Sequence, residues 1–276
     1  MIGGNFFLED IMKKLINILI MSVIICSLFI SCKKDSDQSL KAIQDKKVFV
    51  LGLDDSYPPM GYRDENGEIV GFDIDVAREV CSRLGVELKT QPIDWSAKEL
   101  ELLSKNIDCI WNGFTVTEER KEKILFSEPY LKNRQVVIVR NDGEINSIAS
   151  LSGKKVGVQA GSSGEYAFEQ TEVYPTVSIV AFKDFLTAIT DLKIGGVDAV
   201  VIDEIVADSQ IKKADAANQL KILRSEPIAS EDYAIGFRKG EQKLVDAVQQ
   251  KINEMKKDGT LKKISEKWFG TDLTNI

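Results

Sequence analysis

Residues 71–85 read GFDIDVAREVCSRLG, and the architecture of the chain turns on how this stretch is read. Val76, Val80 and Leu84 recur every fourth residue with Ala77 and Cys81 beside them, which makes the apolar stripe of one helix. Gly85 follows as the residue that ends the helix in a left-handed conformation. Asp73 and Asp75 stand at the helix start, where a carboxylate accepts unpaired N–H groups and complements the dipole. Nothing adjacent in sequence supplies a third metal ligand or a base, so both are expected to be capping residues.

Working outward, VFVLGL (48–53) is apolar on both faces, as buried parallel strands are. Downstream come VELKT, a helix over 97–105 and the strand IDCIW. The second half repeats the order: the strand KKVGVQ (154–159), a helix from GSSGEYAFEQ, the strand VSIVAF (177–182), the helix KDFLTAITDLK and the strand VDAVVI (197–202). LLSKNIDCIWNG and LTAITDLKIGGVDAVVID echo each other, each running from helix through a short break into a strand. Short β-branched runs alternating with helical periods specify the α/β class. Two β-α-β-α-β units predict two lobes, the first from residues 45–132 and 230–276, the second from 133–229. VVIVRNDG (136–143) and EDYAIGFRK (231–239) are expected to be the two extended hinge segments between them. A helix carrying Leu244, Val248, Ile252 and Met255, and another carrying Leu261, Ile264 and Trp268, should pack on the first lobe.

The chain has 276 residues, 43% hydrophobic and 29% charged, enough for two cores. Its formal charge is −7 and it has no histidine. The first fact argues against nucleic acid as a partner, the second against imidazole bases and most transition-metal sites. No cofactor or metal is expected. At the N-terminus Met12-Lys13-Lys14 precedes LINILIMSVIICSLFI, an apolar run ending at Ser31-Cys32. A basic segment, an apolar segment and a small residue read as an export signal over residues 1–31, with Met12 as the natural start. LFISC resembles the bacterial lipobox, which implies a lipid on Cys32, followed by a linker over 32–44. Cys81 and Cys109 lie on apolar stripes and read as buried free thiols.

In open α/β sheets ligands bind beyond the carboxyl ends of strands. After VFVLGL those ends offer Asp54 and Tyr57; after IDCIW they offer Asn112, Gly113, Thr115 and Arg120; the second half adds Ser162, Ser163 and Asp203. Trp95 joins as an aromatic. One cation, acids, hydroxyls and aromatics suit a zwitterion. Each residue also has a plainer reading: Arg120 as a surface residue of a helix capped by Thr117, Asp203 and the two serines as caps, Tyr57 and Trp95 as core.

Taken together, GFDIDVAREVCSRL, NGFTVTEERKEKILFSEPYL, LSGKKVGVQAGSSGE, VDAVVID and KDGTLKKISEKWFG resemble the bacterial extracellular solute-binding proteins for polar amino acids, receptors of ABC importers. The resemblance covers roughly residues 45–270. It implies a two-lobed periplasmic-binding-protein fold of type II, no catalytic residue, and a monomer. Partners would be a free L-amino acid, an ABC transporter permease and the membrane through the N-terminal lipid. Arg120 would take the ligand carboxylate with the Thr115 and Ser163 N–H groups. Asp203 would take the ammonium with the Gly113 carbonyl and the Thr115 hydroxyl. Tyr57 and Trp95 would enclose the side chain, and Asp54 and Asn112 would set selectivity, with the opening stretch structural. Two rivals share the fold: a cyclohexadienyl dehydratase using Asp54 as general acid, and a sensory module for a membrane kinase.

Overall fold

The computed structural model describes residues 37–212 and 219–276. The expected export signal at 1–31, the expected start at Met12 and the expected lipidation of Cys32 fall outside the described residues. Ser39–Lys46 forms α1, so part of the expected linker enters the fold, with Ile43 buried.

The first half supplies β1 (Val48–Leu53), the short strands β2 (Ser56–Tyr57), β3 (Gly61–Arg63) and β4 (Ile69–Val70), and then α2 (Phe72–Leu84). β5 (Glu87–Pro92), α3 (Lys98–Leu103), β6 (Cys109–Ile110), α4 (Glu118–Lys123) and β7 (Ile124–Phe126) follow. The second half runs β8 (Leu131–Arg140), β9 (Lys155–Gln159), α5 (Ser163–Glu169), β10 (Ser178–Phe182), α6 (Phe185–Ile194), β11 (Ala199–Asp203) and α7 (Glu204–Ile211). β12 (Leu220–Ile222), β13 (Ala229–Tyr233), β14 (Gly236–Arg238), α8 (Gln242–Asp258) and α9 (Thr260–Phe269) complete it. The chain is α/β with two lobes, each built on its own open sheet. One sheet has the order β5-β1-β6-β14-β7, the other β10-β9-β11-β8-β12 with β13 also paired to β8, and β2-β3-β4 form a small third sheet. In each lobe the central strands are parallel, β1 with β5 and β6, β9 with β10 and β11. Their carboxyl ends therefore face a common cleft.

The first hinge segment differs from the sequence expectation, while 231–239 does carry the chain from the second sheet to the first. Val136–Val139 lie buried inside the second sheet, paired antiparallel with β11, because an apolar run this continuous can bury both faces. The crossing comes earlier, where Leu131–Asn133 pair with Glu231–Tyr233 and Tyr233 also bridges to Thr115.

The capping expectation for Asp73 and Asp75 is overturned. The first N–H groups of α2 are taken by backbone, Phe72 donating to the Pro59 carbonyl at 2.8 Å and Asp73 to that of Met60 at 2.9 Å. With the helix start satisfied, both carboxylates reach elsewhere. Asp73 is fully buried and accepts the Gly113 N–H at 2.7 Å. Asp75 accepts from Lys267 at 2.6 Å and from the Trp268 indole at 2.8 Å, which fastens α9 to the first lobe as the periodicity predicted. Gly85 ends α2 at φ 70°. Cys81 and Cys109 are buried and unbonded.

Burial pushes the Asp73 carboxyl up to about 7, against the pull of the Gly113 N–H. A carboxyl raised in the folded state contributes its stability at low pH and loses it as pH rises through that value. Asp73→Asn, which keeps an acceptor for Gly113, should therefore flatten the decline in melting temperature between pH 5 and pH 8. Asp73→Ala should cost about 2 kcal/mol at either pH by orphaning a buried N–H, measured by urea unfolding.

Candidate functional site

All ten residues singled out from the sequence line one narrow cavity between the lobes, joined by Gln159 and Phe185. The first lobe contributes the ends of β1 and β6, the β2 strand, the turn at Trp95–Ala97 and α4. The second contributes the turn after β9, the end of β11 and the start of α6.

At one end is Arg120. Thr117 caps α4 by accepting the Arg120 N–H at 3.1 Å, as expected, but the side chain is buried rather than on the surface. Its guanidinium is held by the carbonyls of Thr115 at 2.8 Å and Gly161 at 3.4 Å and lies 4.5 Å from the centre of the Phe114 ring. Burial pulls its pKa down, with Glu231, Glu99 and Asp203 opposing. Beside it the Thr115 and Ser163 hydroxyls meet at 3.0 Å across the cleft. Ser162 does cap α5, accepting the Glu165 N–H at 3.0 Å.

The opposite end holds Asp203. It occupies the cap position of α7 but makes no cap bond. Instead its Oδ1 accepts from Tyr233 at 2.6 Å and from Asn133 and Gln135 at 2.7 Å. Both amides also donate to Glu231 Oε1, at 2.7 and 2.8 Å, so two carboxylates share a pair of donors. Burial and then the neighbouring Glu231 push the Asp203 carboxyl well above its ordinary value. The Tyr57 hydroxyl meets that of Tyr233 at 2.9 Å. Tyr57 and Trp95 are both buried, and Tyr57 stands 5.9 Å from Phe185, ring centre to ring centre.

Asp54 lies at the third corner. Its Oδ2 accepts from Gln159 of the second lobe at 2.7 Å, and burial pushes its carboxyl up to about 6. Asn112 Oδ1 accepts the Asp54 N–H at 3.1 Å, while its amide nitrogen lies against Gly61 without a hydrogen-bond partner. Asn112 thus fixes the Asp54 backbone.

Sequence reasoning missed Gln159, Phe185, Asn133, Gln135, Glu231 and Tyr233. Gln159 ends a strand and the strand-end rule would have found it; Phe185 comes from the start of α6, and Asn133, Gln135, Glu231 and Tyr233 reach the site through pairing of β8 with β13, for which local sequence holds no signal.

The sequence profile of the bacterial extracellular solute-binding proteins, family 3, matches residues 49–271, and the chain belongs to that family. It is 34% identical over 247 residues to the L-cystine-binding protein TcyJ of Escherichia coli, covering 88% of this chain and 91% of the relative. Among solved structures it resembles an ABC uptake transporter substrate-binding protein of Streptococcus pneumoniae with bound histidine. The TM-score is 0.83 and identity 34%, over 88% of this chain and all of that one. It also resembles an ancestral amino acid-binding protein described as a precursor of cyclohexadienyl dehydratase. There the TM-score is 0.77 and identity 33%, over 84% of this chain and 99% of that one.

Gly113 adopts φ 58°, and a Cβ there would stand 2.9 Å from the Tyr57 ring and 3.0 Å from that of Tyr233. Gly113→Ala is expected to lower unfolding free energy by roughly 2 kcal/mol through backbone strain and displacement of the two rings. Urea denaturation measures it; a change below a few tenths would show that the rings move aside freely.

Proposed function

We propose that the protein is the extracytoplasmic substrate-binding lipoprotein of an ABC importer, exported by residues 1–31, anchored through Cys32, and binding a free L-amino acid between its lobes. One observation supports this most: Arg120 and Asp203 face the same cavity, both buried, and the groups that hold them are neutral. The Arg120 guanidinium rests on carbonyls, and Asp203 Oδ1 on hydroxyl and amide donors. Burying an unneutralised charge is costly, and a zwitterion relieves both costs at once, its carboxylate on the arginine and its ammonium on the aspartate. Arg120 belongs to the first lobe and Asp203 to the second, so both ends of the ligand are satisfied only when the lobes close. Binding then shifts the hinge toward the closed shape that a permease would recognise.

Asp54 extends the reading to the ligand's side chain. A carboxyl whose recorded partners are N–H groups of Ser56 and Gln159 fits a cationic or amide group. The relatives' names, cystine-binding and histidine-bound, agree with a polar amino acid of this kind. The protein acts by binding rather than catalysis. Asp54 also supplies the one observation favouring an enzyme: a carboxyl raised to about 6 is what a general acid acting on a cyclohexadienyl acid requires.

Thermal unfolding against the common L-amino acids, cystine and small cyclic carboxylic acids separates the two, because a ligand that binds only the folded state raises its melting temperature. Stabilisation by one or a few L-amino acids is expected. Silence toward all of them with a response to a cyclic acid would favour the enzyme reading. Arg120→Ala should abolish stabilisation by every amino acid that stabilises the parent protein; retained binding would remove Arg120 from the carboxylate role.

Affinity should also depend on pH. Asp54 and Asp203 titrate above their ordinary range, and each must be ionised to receive a cation. As pH falls toward and through 6, a proton must leave before the ligand enters, which weakens binding by up to tenfold per pH unit for each proton released. Calorimetry in buffers of different ionisation enthalpy counts those protons.

A further inference from the structure

Lys98 is the first residue of α3 and is almost fully buried, 4% exposed, although among the described residues no carboxylate pairs with its amino group. Its Nζ donates to two carbonyls. One is Trp95 of its own lobe, at 3.1 Å; the other is Gly161 of the second lobe, at 2.8 Å. The same nitrogen lies 5.2 Å from the centre of the Trp95 ring, the aromatic wall of the cavity. A lysine at the cleft mouth would ordinarily keep its head in water, so the geometry requires a reason for turning it inward.

The far side of the contact is shaped to receive it. Gly161 sits in the turn between β9 and α5 at φ 71°, and a Cβ there would stand 3.2 Å from Ser96 Cα and 3.5 Å from Lys98 Nζ. Only glycine lets the turn come this close to the backbone of the other lobe. Gly161 is itself steadied, its N–H donating to Glu165 at 2.7 Å. Its carbonyl also accepts from Arg120 at 3.4 Å, so two side chains of the first lobe converge on one oxygen of the second. Arg120 is engaged by a ligand carboxylate in the reading above; Lys98 lies outside that cavity and in the wider mouth beside it. Parting the lobes breaks the Lys98–Gly161 bond and leaves the Lys98–Trp95 bond intact.

We propose that Lys98 is a latch that holds the lobes closed over a bound ligand and so sets how long the ligand stays. The ligand part of this inference rests on the amino-acid reading; the closure part does not. A residue that acts only after closure changes the dissociation rate and leaves association nearly untouched.

The test uses Lys98→Met, which keeps length and packing without the donor, and Lys98→Arg, which restores one. Stopped-flow tryptophan fluorescence with L-arginine, L-histidine and L-cystine as probes reads the rates, and small-angle scattering of the ligand-free proteins reads lobe separation. Lys98→Met is expected to dissociate roughly tenfold faster, one lost buried hydrogen bond, with association within twofold and Lys98→Arg within threefold of the parent. An unchanged dissociation rate in Lys98→Met, or a lower melting temperature as its only effect, would reduce Lys98 to a brace for Trp95 and overturn the latch. If no common L-amino acid binds even the parent protein, the amino-acid reading fails and scattering decides alone. A larger radius of gyration for Lys98→Met then upholds the latch, and identical curves refute it.

Discussion

The hydrogen bond from the Gly113 N–H to the buried carboxylate of Asp73 is the joint between framework and cleft. Gly113 follows β6 in a left-handed conformation that puts it against Tyr57 and Tyr233. Such a backbone holds only if something else determines it, and a fully buried carboxyl accepting its N–H at 2.7 Å does so. α2 carries that acceptor, and α2 is itself fixed by α9 through Asp75. Helix packing on the outside of the first lobe is thereby transmitted to the floor of the cavity.

Across the cleft the organising problem is charge. Arg120 and Asp203 are each taken out of water and each given neutral hydrogen-bond partners, an arrangement that leaves the arginine's charge uncancelled and the aspartate poised to ionise when a cation arrives. Glu231 deepens the negative end through two shared amides while lying on the strand that returns the chain to the first lobe. The ammonium end of the site and the hinge are therefore one structure. At the positive end the Thr115–Ser163 and Lys98–Gly161 bonds both cross between lobes, so closing the cleft and completing the site are the same event.

Much of this was legible in the sequence for a definite reason. Strands buried on both faces and helices with a 3.6-residue stripe declare themselves by period, and β1, β9, α2 and α6 stand at or within two residues of where that period puts them. The rule that sites lie at strand ends then gave nine of the ten candidate residues, and all ten line one cavity. The reading failed where a residue's use depends on what is brought near it. Asp73 and Asp75 stand where caps stand, but the carbonyls of Pro59 and Met60 had already taken those N–H groups. Val136–Val139 look like a connector and instead fill the second sheet.

Local periodicity and end signals, encoded within a few residues of one another, determined the α/β class, the two-lobe repeat and the chemistry available at the strand ends. Tertiary structure alone decided which partner each polar group found. Asp73 met Gly113, Asp203 met Asn133, Gln135 and Tyr233, and Lys98 met Gly161, contacts between residues 30 to 70 positions apart, with Tyr57 and Tyr233 separated by 176. The physical reason is that a buried donor or acceptor must be satisfied by whatever the packed chain places within about 3 Å, and that neighbour is set by sheet order and register rather than by adjacency along the sequence.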